Sequence, residues 1–118
     1  MKYVIQFTDD GLADVKALPK NTKNSLRKEI QEKLARDPYG CSSELDEPLK
    51  GWRSFPYRNY GVVFRVYEDL RAIAIAGIGQ RLPQSRSDIY KKLEALALEG
   101  KLAERVLKAL RGFSSGTA

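Results

Sequence analysis

Residues 60–81, YGVVFRVYEDLRAIAIAGIGQR, decide the fold of this chain. The first eight residues alternate between two faces, which predicts a β-strand with one buried side. Residues 71–79 are apolar on both faces, which predicts a central strand covered on each side or nearly so. The Glu68-Asp69 pair between them suits a turn, so the two strands are expected to be antiparallel. The core face of the first strand is predicted to carry Tyr60, Val62, Phe64 and Val66.

A third strand is expected just before this pair, over residues 52–57. It contains Pro56, which argues for an edge position or an interruption because proline cannot donate to a ladder. Asn59 is a plausible turn residue, so the three strands form an antiparallel meander. Residues 38–50, rich in Pro, Gly and Ser, predict a loop with little regular structure.

The N-terminal third predicts a strand followed by a helical hairpin. Residues 2–7 alternate as a short strand, and Thr8 can cap a helix that ends before Pro19. A second helix, capped by Thr22, is expected to end before Pro38. Its predicted apolar stripe consists of Leu26, Ile30 and Leu34.

The C-terminal part predicts two helices. Ser85 and Asp88 stand at capping-box spacing for a helix that Gly100 closes. A further amphipathic stretch follows, with a frayed tail, and its stripe is expected to complete the core, cover a site or contact a second subunit. This stripe comprises Leu102, Val106, Leu110 and Phe113. The order β-α-α-β-β-β-α-α predicts one α+β domain, with helices on one side of a four-stranded, largely antiparallel sheet.

Composition excludes several classes of function. The chain has 118 residues, no histidine and one cysteine, Cys41. The usual general base, Ser-His and Cys-His nucleophile pairs, Cys-based metal sites and internal disulfides are therefore excluded, and no cofactor is expected. No apolar run approaches the ~18 residues of a membrane span, and the first residues do not resemble a signal peptide. The expected location is the cytoplasm.

The positive charge is concentrated in residues 50–92. This segment holds nine basic and three acidic residues, an excess equal to the net charge of +6 of the whole chain. It also holds seven of the aromatic residues. Arginines interleaved with aromatic rings suit a polyanion whose bases can stack. The alternative is that the rings are core and the arginines form a solvated face, and most of the rings are expected to be core.

A set of motifs gives the pattern a family resemblance. These are Leu49-Lys-Gly51, the strand Tyr60-Gly-Val-Val-Phe-Arg-Val-Tyr67, Ile78-Gly-Gln-Arg81 and Ser87-Asp-Ile-Tyr90. Together with the element order, they resemble the RelE/ParE superfamily of bacterial type II toxins. The resemblance covers residues 1–98 as the toxin domain, with residues 99–118 as a helical extension and tail of the same domain.

The resemblance implies one of two activities. In the RelE branch the toxin enters the ribosome and cuts mRNA without a metal, by directing the ribose 2′-OH onto the adjacent phosphate. In the ParE branch a similar fold poisons DNA gyrase without chemistry. An inactive relative that only binds a partner is a third alternative. The implied partners are a cognate antitoxin and either the ribosome with mRNA or DNA gyrase, with no membrane.

The resemblance to the RelE branch also implies site residues. Arg81 would bind the scissile phosphate, and Tyr90 would stack on a base or assist proton transfer. The branch's lysine pair is represented only by Arg53, since Phe55 stands at its second position. Gly61 replaces an arginine, for which Arg65 on the same predicted face is a candidate substitute. Arg53 and Arg65 are both predicted to point to the same face as Tyr67. The candidate catalytic residues are Arg81, Tyr90, Arg53 and Arg65, and the candidate RNA-binding residues are Arg58, Arg86, Lys91, Lys92 and Tyr67.

The segment leading to Arg81 carries its own prediction. If the strand stays regular, Ile73, Ile75, Gly77 and Gly79 share a face with Arg81, and the glycines leave room for a sugar-phosphate backbone. The alternative is that the glycines mark a bulge or the end of the strand.

Overall fold

The computed structural model describes residues 2–81 and 88–115 and contains one mixed sheet with helices on both faces. The sheet order is β1-β5-β4-β3-β2. The strands are β1 (Val4–Phe7), β2 (Ser43–Glu44), β3 (Arg53–Tyr57), β4 (Tyr60–Tyr67) and β5 (Ala72–Gln80). The helices are α1 (Asp9–Lys16), α2 (Lys20–Glu29), which continues as a π-helical turn (Ile30–Leu34), α3 (Ile89–Leu98) and α4 (Lys101–Ser115), and a short 3₁₀ turn covers Glu68–Leu70.

The predicted α+β class is confirmed, but the described sheet has five strands instead of four. The extra strand, β2, lies in the segment predicted to be a loop, and only Ser43 and Glu44 pair with β3. Two residues give no alternation to detect, so the sequence pattern does not reveal this strand. Pro56 lies beyond the β2 pairing, where the free edge of β3 needs no donor, and this agrees with the expected edge position.

The position of β5 confirms the prediction for the apolar segment. It pairs parallel to β1 on one side and antiparallel to β4 on the other. Both of its faces are covered, because α1 and α2 pack on one and α3 and α4 on the other. The expectation that all helices lie on one side of the sheet is therefore wrong. Burial of β5 on both faces requires the second layer of helices.

β5 contains a bulge that changes the face of its second half. Val63 pairs with Gly77 and Phe64 with Ile75, so Ala76 has no partner residue in β4. Ile75 consequently packs with α1 and α2, whereas Gly77 lies against α3. The expectation of a regular strand is wrong, and the bulge that was its alternative is confirmed.

The helical hairpin forms largely as the sequence predicts. Thr8 caps α1 by accepting a hydrogen bond from the Gly11 amide at 3.0 Å. The second helix starts at Lys20, directly after Pro19, so Thr22 lies inside its first turn and is not the cap. Proline's fixed φ suits a helix start, and this explains the earlier beginning. The apolar stripe of α2, Leu26, Ile30 and Leu34, is fully buried.

The last helix completes the core. Leu102, Val106 and Leu110 are buried against the small residues of β5, which resolves the three alternatives for this stripe. Phe113 belongs to the same predicted stripe, but its side chain lies outside the described part of the chain. Arg105 and Lys108 form ion pairs with Asp10 and Asp9 of α1, across the β1 edge. No helix in the described ranges is long and apolar enough to cross a membrane.

Candidate functional site

The N-terminus of α3 rests on glycines of two neighbouring strands. Cβ atoms built at Gly77 and Gly79 would lie 3.2 and 3.3 Å from the Ile89 side chain. These glycines therefore provide room for a helix, and the expectation that they leave room for a nucleic-acid backbone is wrong. Asp88 caps α3 by accepting hydrogen bonds from the Tyr90 and Lys91 amides, as predicted. Ser85, the other predicted cap residue, lies outside the described residues.

Gly61 of β4 lies beneath both Arg81 and Tyr90. A Cβ at this position would come within 2.7 Å of the Tyr90 hydroxyl and 3.4 Å of Arg81 Cγ. The structure thus brings the two strongest site candidates together, although eight residues lie between them in the chain. Any side chain at position 61 would displace the tyrosine ring, the arginine or both.

Arg81 is fixed at the turn between β3 and β4. Its backbone amide donates to the Asn59 carbonyl at 2.8 Å, and Nη2 donates to the Arg58 carbonyl at 2.6 Å. The side chain is exposed. One guanidinium nitrogen is therefore held by the protein, and among the residues that the structure describes the other donors of the fork have no hydrogen-bond partner.

Tyr90 is held by a residue that the sequence reasoning missed. The hydroxyl oxygens of Tyr90 and Ser54 are 2.7 Å apart and share a hydrogen bond. Ser54 is 8% exposed and pairs with Val63, so its side chain lies on the same face of the sheet as Tyr90. Strand register is the signal that would have located it, since positions 54 and 61 share this face.

Arg65 does not join Arg81 and Tyr90. It shares a face with Gly61, as predicted, but four residues of strand separate the two positions, about 13 Å at ~3.3 Å per residue. Its guanidinium stacks on the rings of Trp52 and Tyr67, with Cζ 5.9 and 5.7 Å from the ring centroids. Burial raises the pKa of the Tyr67 hydroxyl above its ordinary value, and the nearby Arg65 charge offsets only part of this increase.

Arg53 lies on the opposite face of the sheet. It pairs with Phe64, which packs against α1 and α2, so the prediction that Arg53 and Arg65 share a face is wrong. The guanidinium stacks on Tyr39 with Cζ 5.3 Å from the ring centroid, and Nε donates to Ser42 Oγ at 2.7 Å. Arg53 pairs with the residue that precedes Arg65 in β4, and successive residues of a strand point to opposite faces.

The other predicted RNA-binding residues that the structure describes lie in the β3–β4 turn and on α3. Arg58 occupies the β3–β4 turn with a positive φ of 57° and stacks on Tyr57. Lys91 and Lys92 are exposed on α3, and Lys92 Nζ lies 3.9 Å from Asp14 Oδ1. Arg86 lies outside the described residues.

Asp14 is a second residue that the sequence reasoning missed. Its carboxylate accepts a hydrogen bond from the Ile78 amide at 3.0 Å, where β5 extends past the end of β1. Burial raises the pKa of this carboxyl, against the lowering effects of the Ile78 hydrogen bond and Lys92. Asp14 therefore accepts the hydrogen bond that a strand partner would accept at this edge of β5. The donor, Ile78, lies three residues before Arg81.

Comparisons with known proteins show which family this chain matches. Residues 5–82 match the family described as ParE toxin of type II toxin-antitoxin system, parDE. A sequence comparison with curated proteins gives no match.

Solved structures share the fold. The RelBE2 toxin-antitoxin complex from Mycobacterium tuberculosis aligns with a TM-score of 0.65 and 21% identity, covering 69% of this chain and 100% of that one. A mutant of the Escherichia coli toxin RelE in the free state aligns with a TM-score of 0.58 and 14% identity, covering 92% and 97%. At these identities the likeness establishes the fold alone. The family match extends over most of the chain, and this chain belongs to the ParE toxin family of type II toxin-antitoxin systems, within the RelE/ParE superfamily.

Proposed function

We propose that this toxin inhibits translation by cutting mRNA on the ribosome. The observation that carries the proposal is the convergence of Arg81 and Tyr90 above Gly61, with the Arg81 fork exposed and the tyrosine held by Ser54. A guanidinium beside a phenol is suited to a phosphodiester, because the first neutralises charge that grows on the phosphate and the second exchanges protons.

The proposed step is an attack of the ribose 2′-oxygen on the adjacent phosphorus. The bond from the 2′-oxygen to phosphorus forms as the bond to the 5′-oxygen of the next nucleotide breaks, giving a 2′,3′-cyclic phosphate. The 2′-OH proton leaves to a base, and the 5′-oxygen takes a proton as it departs. Arg81 binds the phosphate, and Tyr90 with ribosomal groups carries the protons, since an arginine is a poor proton acceptor near neutral pH.

Gyrase poisoning is the second candidate function. It is favoured by the residues beneath Tyr90, which are Ser54 and Gly61 and not basic side chains. Arg53, the expected member of a basic pair, lies on the other face of the sheet. A toxin that only binds its target needs no proton acceptor at this place.

One experiment separates the two functions. Purified toxin is incubated with ribosomes programmed with a defined mRNA, and the new 5′ ends are mapped by primer extension. We expect cuts within the A-site codon that require the ribosome. Intact message, together with cleavage complexes formed by purified gyrase and toxin on supercoiled DNA, would instead establish the second function.

We also propose a cognate antitoxin as the physiological partner. The family is defined by toxin-antitoxin pairs, and solved structures with the same fold include toxin-antitoxin complexes from Mycobacterium tuberculosis and Escherichia coli.

A further inference from the structure

A groove between α4 and the β4 end of the sheet lies apart from Arg81 and Tyr90. Its volume is about 400 Å³. One wall is aliphatic and comes from α4, including Leu102, Val106 and Leu107, and the other wall carries Trp52 and Arg65. α4 lies beyond residues 5–82, so this wall comes from the part of the chain that the family match does not include.

Arg65 is an oriented cation at this groove. Its guanidinium stacks on both Trp52 and Tyr67 and lies over Gly51, where a Cβ would be 3.6 Å from Cζ. Within the described ranges, no carboxylate forms an ion pair with it. Stacking restricts the side chain without neutralising its charge, and a carboxylate bound there would not have to displace an existing partner.

Lys50 is the second basic residue of the groove, but it also borders a cavity lined by Glu44, Asp46 and Glu47. These carboxylates offset the Lys50 charge and oppose an anion that approaches from their side. Arg65 borders a cavity with only one of these carboxylates, Glu44, and the described residues contain no ion pair between the two. Arg65 is therefore the anchor, and an anionic ligand has to extend from Arg65 along α4.

The α4 wall determines the chemical class of the ligand. Leu107 is 63% exposed, although Leu102 and Val106 beside it are buried in the core. An exposed leucine beside an arginine that has no carboxylate partner in the described part of the chain fits a segment with aliphatic and acidic side chains on one face. A nucleic-acid backbone offers no aliphatic groups to this wall.

We propose that this groove is the docking site for an acidic amphipathic segment of the antitoxin. Carboxylates of the segment bind Arg65, and its aliphatic side chains cover Leu107 and the adjacent surface of α4. The proposal rests on the antitoxin partner proposed above and not on the mode of toxicity, so failure of the mRNA-cleavage assay leaves it standing.

The test measures binding of the full-length antitoxin to the full toxin by titration calorimetry. We expect Arg65→Glu to weaken binding at least 100-fold, because it places like charges in contact, and Leu107→Asp at least 10-fold. The control is Arg27→Glu, the same change at an exposed arginine of α2, which should leave binding unchanged. Circular dichroism of each variant verifies the fold.

A spectroscopic readout locates the contact independently. Trp52 is the sole tryptophan of the chain and forms part of the groove wall. Antitoxin binding should therefore shift its emission, and with a tryptophan-free antitoxin the signal comes from the toxin alone. Unchanged affinity in Arg65→Glu and Leu107→Asp, or binding without an emission change, would overturn the proposal. So would variants that bind antitoxin normally but lose affinity for a 20-nucleotide RNA, since they would make the groove an RNA contact.

Discussion

Gly61 shows how the absence of a side chain can define a site. The space where a Cβ would stand is taken by the Tyr90 hydroxyl and the Arg81 side chain, from two elements that are distant in sequence. A departure from the RelE pattern, glycine in place of arginine, thus has a physical role in this chain. It permits the close seating of the tyrosine that an arginine at position 61 would prevent.

Arg81→Ala is expected to remove toxicity while leaving antitoxin binding near normal. The side chain is exposed and its hydrogen bond goes to a turn carbonyl, so the fold should persist. Loss of one charged phosphate contact should slow cleavage on programmed ribosomes about 10²-fold or more. Arg27→Ala serves as the matched control in the growth and cleavage assays. If Arg81→Ala kept full toxicity, the phosphate site would lie elsewhere.

The hydrogen bond between Ser54 and Tyr90 predicts a coupled pair of mutations. Ser54→Ala and Tyr90→Phe should each lower cleavage or toxicity, and Ser54→Ala should have little further effect in the Tyr90→Phe background. The reason is that Ser54 acts by holding the tyrosine hydroxyl. Each single change should cost about 0.5–1.5 kcal/mol of stability in denaturant unfolding. Additive losses of activity would show that Ser54 acts independently of Tyr90.

At the scale of elements, the seating of α3 on β5 positions Tyr90. Ile89 fills the space above Gly77 and Gly79, and the next residue then falls above Gly61. The bulge at Ala76 is what turns both glycines toward α3. The position of the tyrosine therefore depends on the register of β5 as well as on the space above Gly61 of β4.

Gly79→Val is expected to displace the start of α3. Valine would meet the Ile89 side chain, which lies 3.3 Å from the position of a Cβ, and overpacking of this kind costs about 1–3 kcal/mol. Toxicity should fall with the displacement of Tyr90. Adding Ile89→Ala makes room, so the double variant should be more stable than the sum of the single changes in urea unfolding. Full activity in Gly79→Val would show that seating of α3 is not required.

For the whole molecule, the sequence was most informative where a pattern extends over several turns or strands. The stripe of α2, the alternation of β4 and the two-sided burial of β5 each repeat often enough to be detected. The two-residue strand β2 and the bulge at Ala76 produce no repeating pattern in the sequence, because each depends on pairing with a partner strand. For the candidate site, motif context predicts Arg81 and Tyr90, which the structure brings together, whereas the contact of Ser54 with Tyr90 and the separation of Arg53 from Arg65 depend on strand register.

A hydrogen-bonded cluster of Tyr3, Tyr39 and Glu68 links parts of the chain that are distant in sequence. The hydroxyls of Tyr3 and Tyr39 donate to the Glu68 carboxylate at 2.8 and 2.6 Å. These bonds lower the pKa of Glu68, with the Tyr39 bond first, and the Glu68 bond raises the pKa of Tyr39 to about 12. The cluster should contribute stability that is lost as the pH falls below the ordinary glutamate range, and again as the pH rises from about 10 toward 12.

Glu68→Gln is expected to lower the melting temperature at pH 7 and to have a smaller effect at pH 3. The tyrosine bonds lower the pKa of Glu68, so the wild-type carboxylate becomes protonated, and its charge-assisted bonds weaken, as the pH falls below the ordinary glutamate range. Melting followed by circular dichroism across this range tests the point. Glu104→Gln, at an exposed position of α4, is the control. An equal loss at both pH values would assign the contribution of Glu68 to packing.

The pairing of β1 with β5 also determines the stage of synthesis at which this protein can complete its fold. Val4 pairs with Ala72, and Asp10 of α1 pairs with Arg105 of α4, so both ends of the chain are needed to close the structure. Contacts this distant in sequence make folding slow relative to a bundle of local contacts. During synthesis, β1 cannot pair with β5 until β5 has left the ribosome, and the ion pair between Asp10 and Arg105 cannot form until α4 has emerged. The complete fold can therefore form only after most of the chain has been synthesised.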